Sequence, residues 1–319
     1  MEDIKNKFWA VGGGKGGVGK SIVTLMIGVS LARLGNKVIL VDADLGGSNL
    51  HTLVGIRYPK YTLADFINKK VETIEEVIMG TPIENMNIIC GADDILGMAN
   101  PKYTQKTRIL NHLKRLDADF ILLDLGAGTS FTTIDFFLYA PNKIVVLTPQ
   151  VTSIQNAYGF IKASLFRHLN DTFSKEEGAM ELIKRAASPV QGESIDSIAK
   201  LYNEFKAFGE QQQEKLLNCI NELNIKLIIN MVKDIKERNV CNIVKSVAKN
   251  YLGLTIEDLG IIQFDNILNT SINNMAEFFI KKRDSMASIN CYDIATNIIK
   301  SNQKISQQPS ALIAPQISA

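Results

Sequence analysis

The sequence is poor in the side chains that announce a metal or disulfide protein. Its four cysteines stand singly at Cys90, Cys219, Cys241 and Cys291 and its three histidines at His51, His112 and His168, with no CxxC pair and no histidine at ligand spacing. Neither a zinc site nor a redox dithiol is expected, and the thiols read as free cysteines of a reducing compartment. Charge of one sign is missing too: 35 Lys and Arg stand against 33 Asp and Glu, so a net charge of +2 gives no indication of DNA as a partner. No run reaches the ~20 apolar residues of a membrane-spanning helix. The mixed-charge start MEDIKNK lacks the apolar core of a secretory signal, and the sequence shows no internal repeat. These absences together read as a cytoplasmic protein.

What is present is a chain of 319 residues, 46% hydrophobic and 21% charged, which can bury a large core. Short apolar runs recur at 8–12, 37–41, 87–91, 120–124, 143–147, 226–230 and 259–264, with helical stretches between them. Several, such as KVILVD and FILLDL, are apolar almost throughout instead of alternating, as strands covered by helices on both faces must be. The expected fold is a doubly wound α/β domain with a mainly parallel sheet of about seven to eight strands. A first helix opens at Lys20 and stops near Leu34, where Gly35-Asn36 supplies a left-handed turn. From about 170 to 222 the strand pattern lapses into a stretch with ten acidic and six basic residues, read as a helical insertion with a solvated surface. One domain is expected over 1–300, followed by a disordered tail over 301–319 that is rich in Ser, Gln and Pro.

The first apolar run leads into Gly12-Gly13-Gly14-Lys15-Gly16-Gly17-Val18-Gly19-Lys20-Ser21, and a helical pattern follows at once. Gly14 to Ser21 satisfies GxxxxGK[ST], a phosphate-binding loop. Glycines let successive amides turn inward around a phosphate, the helix N-terminus adds its dipole, Lys20 supplies a point charge and Ser21 a hydroxyl for magnesium. Gly12, Gly14 and Gly17 also spell GxGxxG, with Asp42 ending the second run as a dinucleotide fold requires, but that reading leaves Lys20-Ser21 unexplained. The runs ending in Asp42-Ala43-Asp44 and Asp124 place carboxylates at the C-terminal edge of the sheet, beside the loop.

Lys15 is a second cation inside the loop, and with it the sequence resembles the deviant Walker A family, the MinD/ParA/NifH-like ATPases. The resemblance continues at Val41-Asp42-Ala43-Asp44-Leu45-Gly46-Gly47-Ser48-Asn49-Leu50, similar to that family's switch I, and at Leu122-Leu123-Asp124-Leu125-Gly126-Ala127-Gly128, similar to its Walker B and switch II. It runs from about Phe8 to Gln263 and is strongest toward the FlhG/FleN-type relatives of MinD, which regulate flagellar number and placement.

The resemblance implies an ATPase that uses ATP and Mg2+, turns over slowly and dimerises with ATP. It implies Lys15, Lys20 and Asp44 as catalytic residues, Lys15 reaching the partner's phosphates and Asp44 orienting water. Gly14, Lys15, Gly16, Gly17, Val18, Gly19, Lys20, Ser21, Ile22 and Asn230 would bind nucleotide, Asn230 at the adenine with 263–265 as a second wall. Ser21 would ligate the metal directly, with Asp42 near it and Asp124 acting through water, and Asp44, Gly126 and Gly128 would form the switch. An unidentified protein would stimulate hydrolysis. With seven residues before the first run, the partner-stimulating N-terminal segment common in the FlhG branch is not expected. Ser285 to Lys300 places Met286, Ile289, Ile294, Ile298 and Ile299 near one helical side and reads as a core helix, not a stable membrane anchor. The alternatives are a ParA-type DNA-partition ATPase and a P-loop ATPase of cofactor or metal-cluster biosynthesis. The nitrogenase-reductase type needs a cysteine in switch II, which 126–130 does not supply.

Overall fold

The computed structural model describes residues 7–45, 47, 49–91, 103–188, 195–271, 275, 278 and 281–307. Eight strands form one sheet: β1 (Phe8–Gly12), β2 (Val38–Ala43), β3 (Ile78–Gly80), β4 (Met86–Ile89), β5 (Phe120–Leu125), β6 (Asn142–Leu147), β7 (Ile225–Val232) and β8 (Glu257–Gln263). Their order is β3-β4-β2-β5-β1-β6-β7-β8, parallel throughout except for β3 against β4. The main helices are α1 (Lys20–Arg33), α2 (Leu50–Leu53), α3 (Leu63–Ile67), α4 (Tyr103–Leu113), α5 (Phe131–Tyr139) and α6 (Val151–Thr172). They continue as α7 (Glu177–Ala187), α8 (Ile198–Glu204), α9 (Glu210–Asn221), α10 (Asn239–Leu252), α11 (Asn266–Thr270) and α12 (Met286–Gln307).

The continuous apolar runs have a direct packing reason. Phe8 and Ala10 of β1 join one buried cluster with α5 and α6, while Trp9 and Val11 join another with α1 and α12. Successive side chains of a strand point to opposite faces, so a strand covered twice cannot alternate polar with apolar. The adjacent strands β1 and β5 thus send their following helices, α1 and α5, to opposite faces, and the loops between strand and helix meet at the C-terminal edge of the sheet. Helix α1 ends where the sequence places its stop, with Leu34 as cap and Gly35 at φ +87°.

Three local readings change. β3 has no counterpart among the apolar runs, because it is a three-residue edge strand whose Ile78 and Met79 are only partly buried, one against each core cluster. On α12 the buried apolar side chains are Ala287, Cys291, Ile294, Ala295 and Ile298, while Met286, Ile289 and Tyr292 lie outside; a helix apolar on two sides does not reveal which one the core takes. The same helix runs through Gln307, beyond the expected tail start at 301, because Ser301 is buried and its hydroxyl donates to Glu257 Oε1 at 3.0 Å. The remaining tail, 308–319, lies outside the described residues.

Between α6 and β7 the described residues carry α7, α8 and α9, while 189–194 lie outside them. Phe173, Phe205 and Phe208 meet edge to face at 5.3 and 5.6 Å, and the Lys215 ammonium lies over the Phe173 ring while pairing with Glu176 at 2.8 Å. Ile183, Leu201 and Leu216 belong to the same buried cluster as the sheet face, so these helices pack on the core.

Lys143 of β6 is buried, its ammonium donating to the Ala140 carbonyl at 2.6 Å. Burial lowers its pKa from 10.5 to about 8, against the opposing pull of Glu222. At pH 7 the fold therefore holds a charge that the unfolded chain solvates better, a cost on the order of 3 kcal/mol. The cost fades as pH rises from about 8 to 10.5, where the native state loses this proton before the unfolded chain does. Lys143→Met should be more stable than the parent at pH 7 by about 2 kcal/mol, after loss of the carbonyl bond, with the gap closing toward pH 10.5 in denaturant melts. A gap independent of pH would exclude the ammonium as its cause.

Candidate functional site

The glycine-rich loop leaves β1 and passes so near α6 that a side chain does not fit. A Cβ on Gly14 would lie 1.9 Å from the Asn156 carbonyl oxygen. At the other end Gly19 takes φ +84° as the N-cap of α1, where its carbonyl accepts from Val23 N at 2.9 Å. The first turn of α1 has neither a side-chain cap nor an acidic residue, so the positive end of its dipole is left for an external anion. Lys20 opens this helix, buried along its stem, whereas Lys15 is exposed at the tip of the loop and makes no ion pair among the described residues.

Register brings the carboxylates to this loop. Asp42 of β2 stands directly beside Asp124 of β5 in the parallel ladder, both at the C-terminal edge. Burial raises the Asp124 carboxyl to about 7, with the Asp42 charge adding to the rise, while the Lys20 ammonium and hydrogen bonds from Ser21 and Thr24 oppose it. The Thr24 hydroxyl lies 3.2 Å from Asp124 Oδ1 and 2.9 Å from the Lys20 carbonyl, sharing its one proton between them. The Asp42 oxygens accept from Asp44 N at 3.2 Å and Leu50 N at 3.0 Å and so fold the segment after β2 back on itself.

Asp44 packs against Gly126: a Cβ there would sit 3.0 Å from Asp44 Oδ1. Gly128, at φ +83°, donates its N–H to the Gly13 carbonyl at 3.3 Å and ties the turn after β5 to the phosphate loop. Gly46 and Ser48 lie outside the described residues. Asn230 reaches the loop from β7, its Nδ2 donating to the Val18 carbonyl at 2.9 Å. Asp265 does not face the loop with a free carboxylate: it caps α11 through Ile267 and Leu268 and also accepts from Ala287 N.

The residues singled out from sequence at 14–22, 42, 44, 124, 126, 128 and 230 thus lie around a single edge of the sheet, with Lys15, Gly16 and Gly17 exposed. Three contributors were missed. Thr24 stands four residues after Lys20, on the same helical face, a spacing that could have found it. Asn156 acts through its backbone, and the left-handed Met231 (φ +59°) sits in a β-bulge, so neither carries a sequence signal. Thr148 donates its N–H to Ser153 Oγ at 2.9 Å at the start of α6.

Gly14 and Gly16 separate the two uses of glycine in this loop. Gly14→Ala should cost about 2 kcal/mol or more, since backbone at 1.9 Å cannot yield as a side chain does. Gly16→Ala, whose nearest neighbour would be Ala127 Cβ at 3.9 Å, should stay within about 0.5 kcal/mol of the parent. Equal melting curves for the two variants would refute the close approach of α6.

Residues 3–174, more than half of the chain, match the ParA family described as "NUBPL iron-transfer P-loop NTPase". Among curated proteins the chain is 34% identical over 155 residues to the antiactivator FleN of Pseudomonas aeruginosa, covering 48% of this chain and 54% of that protein. It is 32% identical over 145 residues to the septum site-determining protein MinD of Helicobacter pylori, covering 45% and 53%. The chain spans about half the length of these curated relatives in the matches. Among solved structures, MinD of Pyrococcus horikoshii complexed with Mg-ADP aligns with TM-score 0.61 at 19% identity, covering 95% of this chain and 99% of that one. The MinC:MinD complex of Aquifex aeolicus aligns with TM-score 0.60 at 19% identity, covering 97% and 99%. These structural likenesses establish the fold, and the family match over residues 3–174 places the chain in the ParA/MinD family of P-loop NTPases.

Proposed function

We propose that the chain is a magnesium-dependent ATPase that acts as a molecular switch, dimerising with ATP and separating after hydrolysis. The observation that carries this reading is the cluster of Lys20, Ser21, Thr24 and Asp124 at the mouth of a glycine-rich loop. The residues present fit the ligand: a helix N-terminus without an acid, a lysine at its first position and a hydroxyl beside a buried carboxylate form a site for a triphosphate with its cation. Ser21 would hold magnesium directly, with Asp42 and Asp124 behind it. Bound magnesium would neutralise charge on the phosphate oxygens.

Lys20 binds the phosphate end of the nucleotide and Asp124 orients Ser21 through its hydroxyl. Asp44, resting on Gly126, orients the attacking water and accepts its proton. The turn 126–128, bonded to Gly13, shifts when the last phosphate leaves. Lys15 is a second cation in the loop that leads to Lys20, and a partner subunit's triphosphate is the anion that offsets their repulsion. The similarity to the antiactivator FleN, added to the resemblance to the FlhG/FleN-type branch, is the ground for proposing a role in counting or placing a cellular structure such as the flagellum, and an unidentified protein partner is proposed to stimulate hydrolysis. No helix among the described residues is long and apolar enough to cross a membrane, and the cytoplasm is the proposed compartment.

Asp44→Ala should keep ATP affinity while turnover falls on the order of 10² or more, measured by phosphate release. Parent-like turnover would reduce Asp44 to a turn residue. With ATP but not ADP, the same variant should double in mass by light scattering, and Lys15→Ala on that background should stay monomeric. Equal dimerisation of the double variant would remove Lys15 from the interface and leave an ordinary P-loop ATPase.

A further inference from the structure

The far end of α1 shares a surface cavity with α12. The two helices meet in one buried cluster, where Met26 and Val29 of α1 lie with Ala287, Cys291 and Ile294 of α12. Beside that contact is a space of about 260 Å³ lined by Ser30, Arg33, Arg283, Ser288, Ile289 and Tyr292. Arg33 is the last residue of α1 and Lys20 the first, so roughly 20 Å of helix separates this cavity from the phosphate loop.

Two of the lining residues are cations and none is acidic; Asp284 and Asp293, the nearest acids in sequence, are not among them. A cation in the last turn of α1 suits the helix dipole, which accounts for Arg33 alone. It does not account for a second arginine brought beside it. Desolvation and, after it, the charge of Arg283 lower the Arg33 pKa from its ordinary value, so the two guanidiniums repel one another here. The serine hydroxyls have spent their protons: Ser30 Oγ donates to the Met26 carbonyl at 2.8 Å and Ser288 Oγ to the Lys282 carbonyl at 2.9 Å. Donors toward a ligand are therefore the guanidiniums and the Tyr292 hydroxyl.

The rest of the lining is apolar. Ile289 is 44% and Tyr292 48% exposed, three residues apart on one side of α12, and covering either with an apolar group is favourable. The volume lies below the ~300 Å³ at which pockets for drug-sized ligands begin, and a recess of this kind suits one small molecule better than a bilayer surface. We propose that the cavity binds a small soluble phosphate monoester, its phosphate held between Arg33 and Arg283 and its apolar or aromatic body against Ile289 and Tyr292. Guanidiniums match phosphate oxygens with paired N–H donors, and a phosphate monoester brings nearly two negative charges to offset two positive ones. This site is separate from the loop at 12–21 and does not depend on the nucleotide reading.

The test is calorimetric titration of the full chain with phenyl phosphate, inorganic phosphate and phenol. Lys20→Ala serves as the background, so that the phosphate loop does not contribute; should it not fold, the parent saturated with Mg-ADP takes its place. Phenyl phosphate should saturate one site, inorganic phosphate should bind more weakly, and phenol should not bind. Adding Arg283→Ala or Arg33→Gln should weaken phenyl phosphate by about tenfold or more, with folding checked by melts. Adding Tyr292→Ala should bring phenyl phosphate down to the affinity of inorganic phosphate, which should itself stay unchanged. Equal affinity after both arginine changes would overturn the proposal, as would the lack of any saturable binding. Arginine-dependent binding to phosphatidic acid vesicles without binding of phenyl phosphate would overturn it in favour of a membrane contact.

Discussion

Asp124 ends a strand that is otherwise apolar, and a carboxylate so deep in a sheet is costly unless charge and hydrogen bonds are brought to it. The arrangement around the loop can be understood as the supply of those partners. Lys20 comes from the first residue of α1, Ser21 and Thr24 from the same turn, and all three can face β5 only if the loop before them is tight enough to start the helix there. Burial raises Asp124 to about 7 and Asp42, one strand away, adds a smaller push in the same direction, against the opposing pull of Lys20. A site so poised responds to any ligand that changes the local charge, as a triphosphate with its cation does.

The loop itself is held from outside by backbone more than by side chains. The Asn156 carbonyl closes on Gly14, the Gly13 carbonyl accepts from Gly128, and the Val18 carbonyl accepts from Asn230. α6, the turn after β5 and the bulge in β7 each touch a different part of the same eight residues. A rearrangement at any of them must be felt in the loop, which is the physical content of a switch.

Much of this could be read in the sequence for particular reasons. The strands were legible because covering a sheet on both faces forces uninterrupted apolar runs, and the loop because phosphate binding demands glycine, lysine and serine at fixed intervals. β3 escaped because three residues at an edge need no such run. The buried face of α12 escaped because Met286 and Ile289 are as apolar as Ile294 and Ile298, and only the neighbouring elements decide between them. Asn230 reads from sequence as an adenine contact, and its bond to the loop could not be foreseen, because it depends on one extra residue in β7 opposite β8. Contacts made by backbone, such as that of Asn156, leave no mark in composition or spacing.

The central claim, that 12–21 is a triphosphate site served by Lys20, is tested most directly by titration calorimetry of Mg-ATP against the parent chain and Lys20→Ala, with folding checked by circular dichroism. The account predicts saturable binding by the parent, loss of binding by the folded variant and no tight binding of a nicotinamide dinucleotide by either. Undiminished ATP affinity in Lys20→Ala, or a preference of the parent for the dinucleotide, would contradict it.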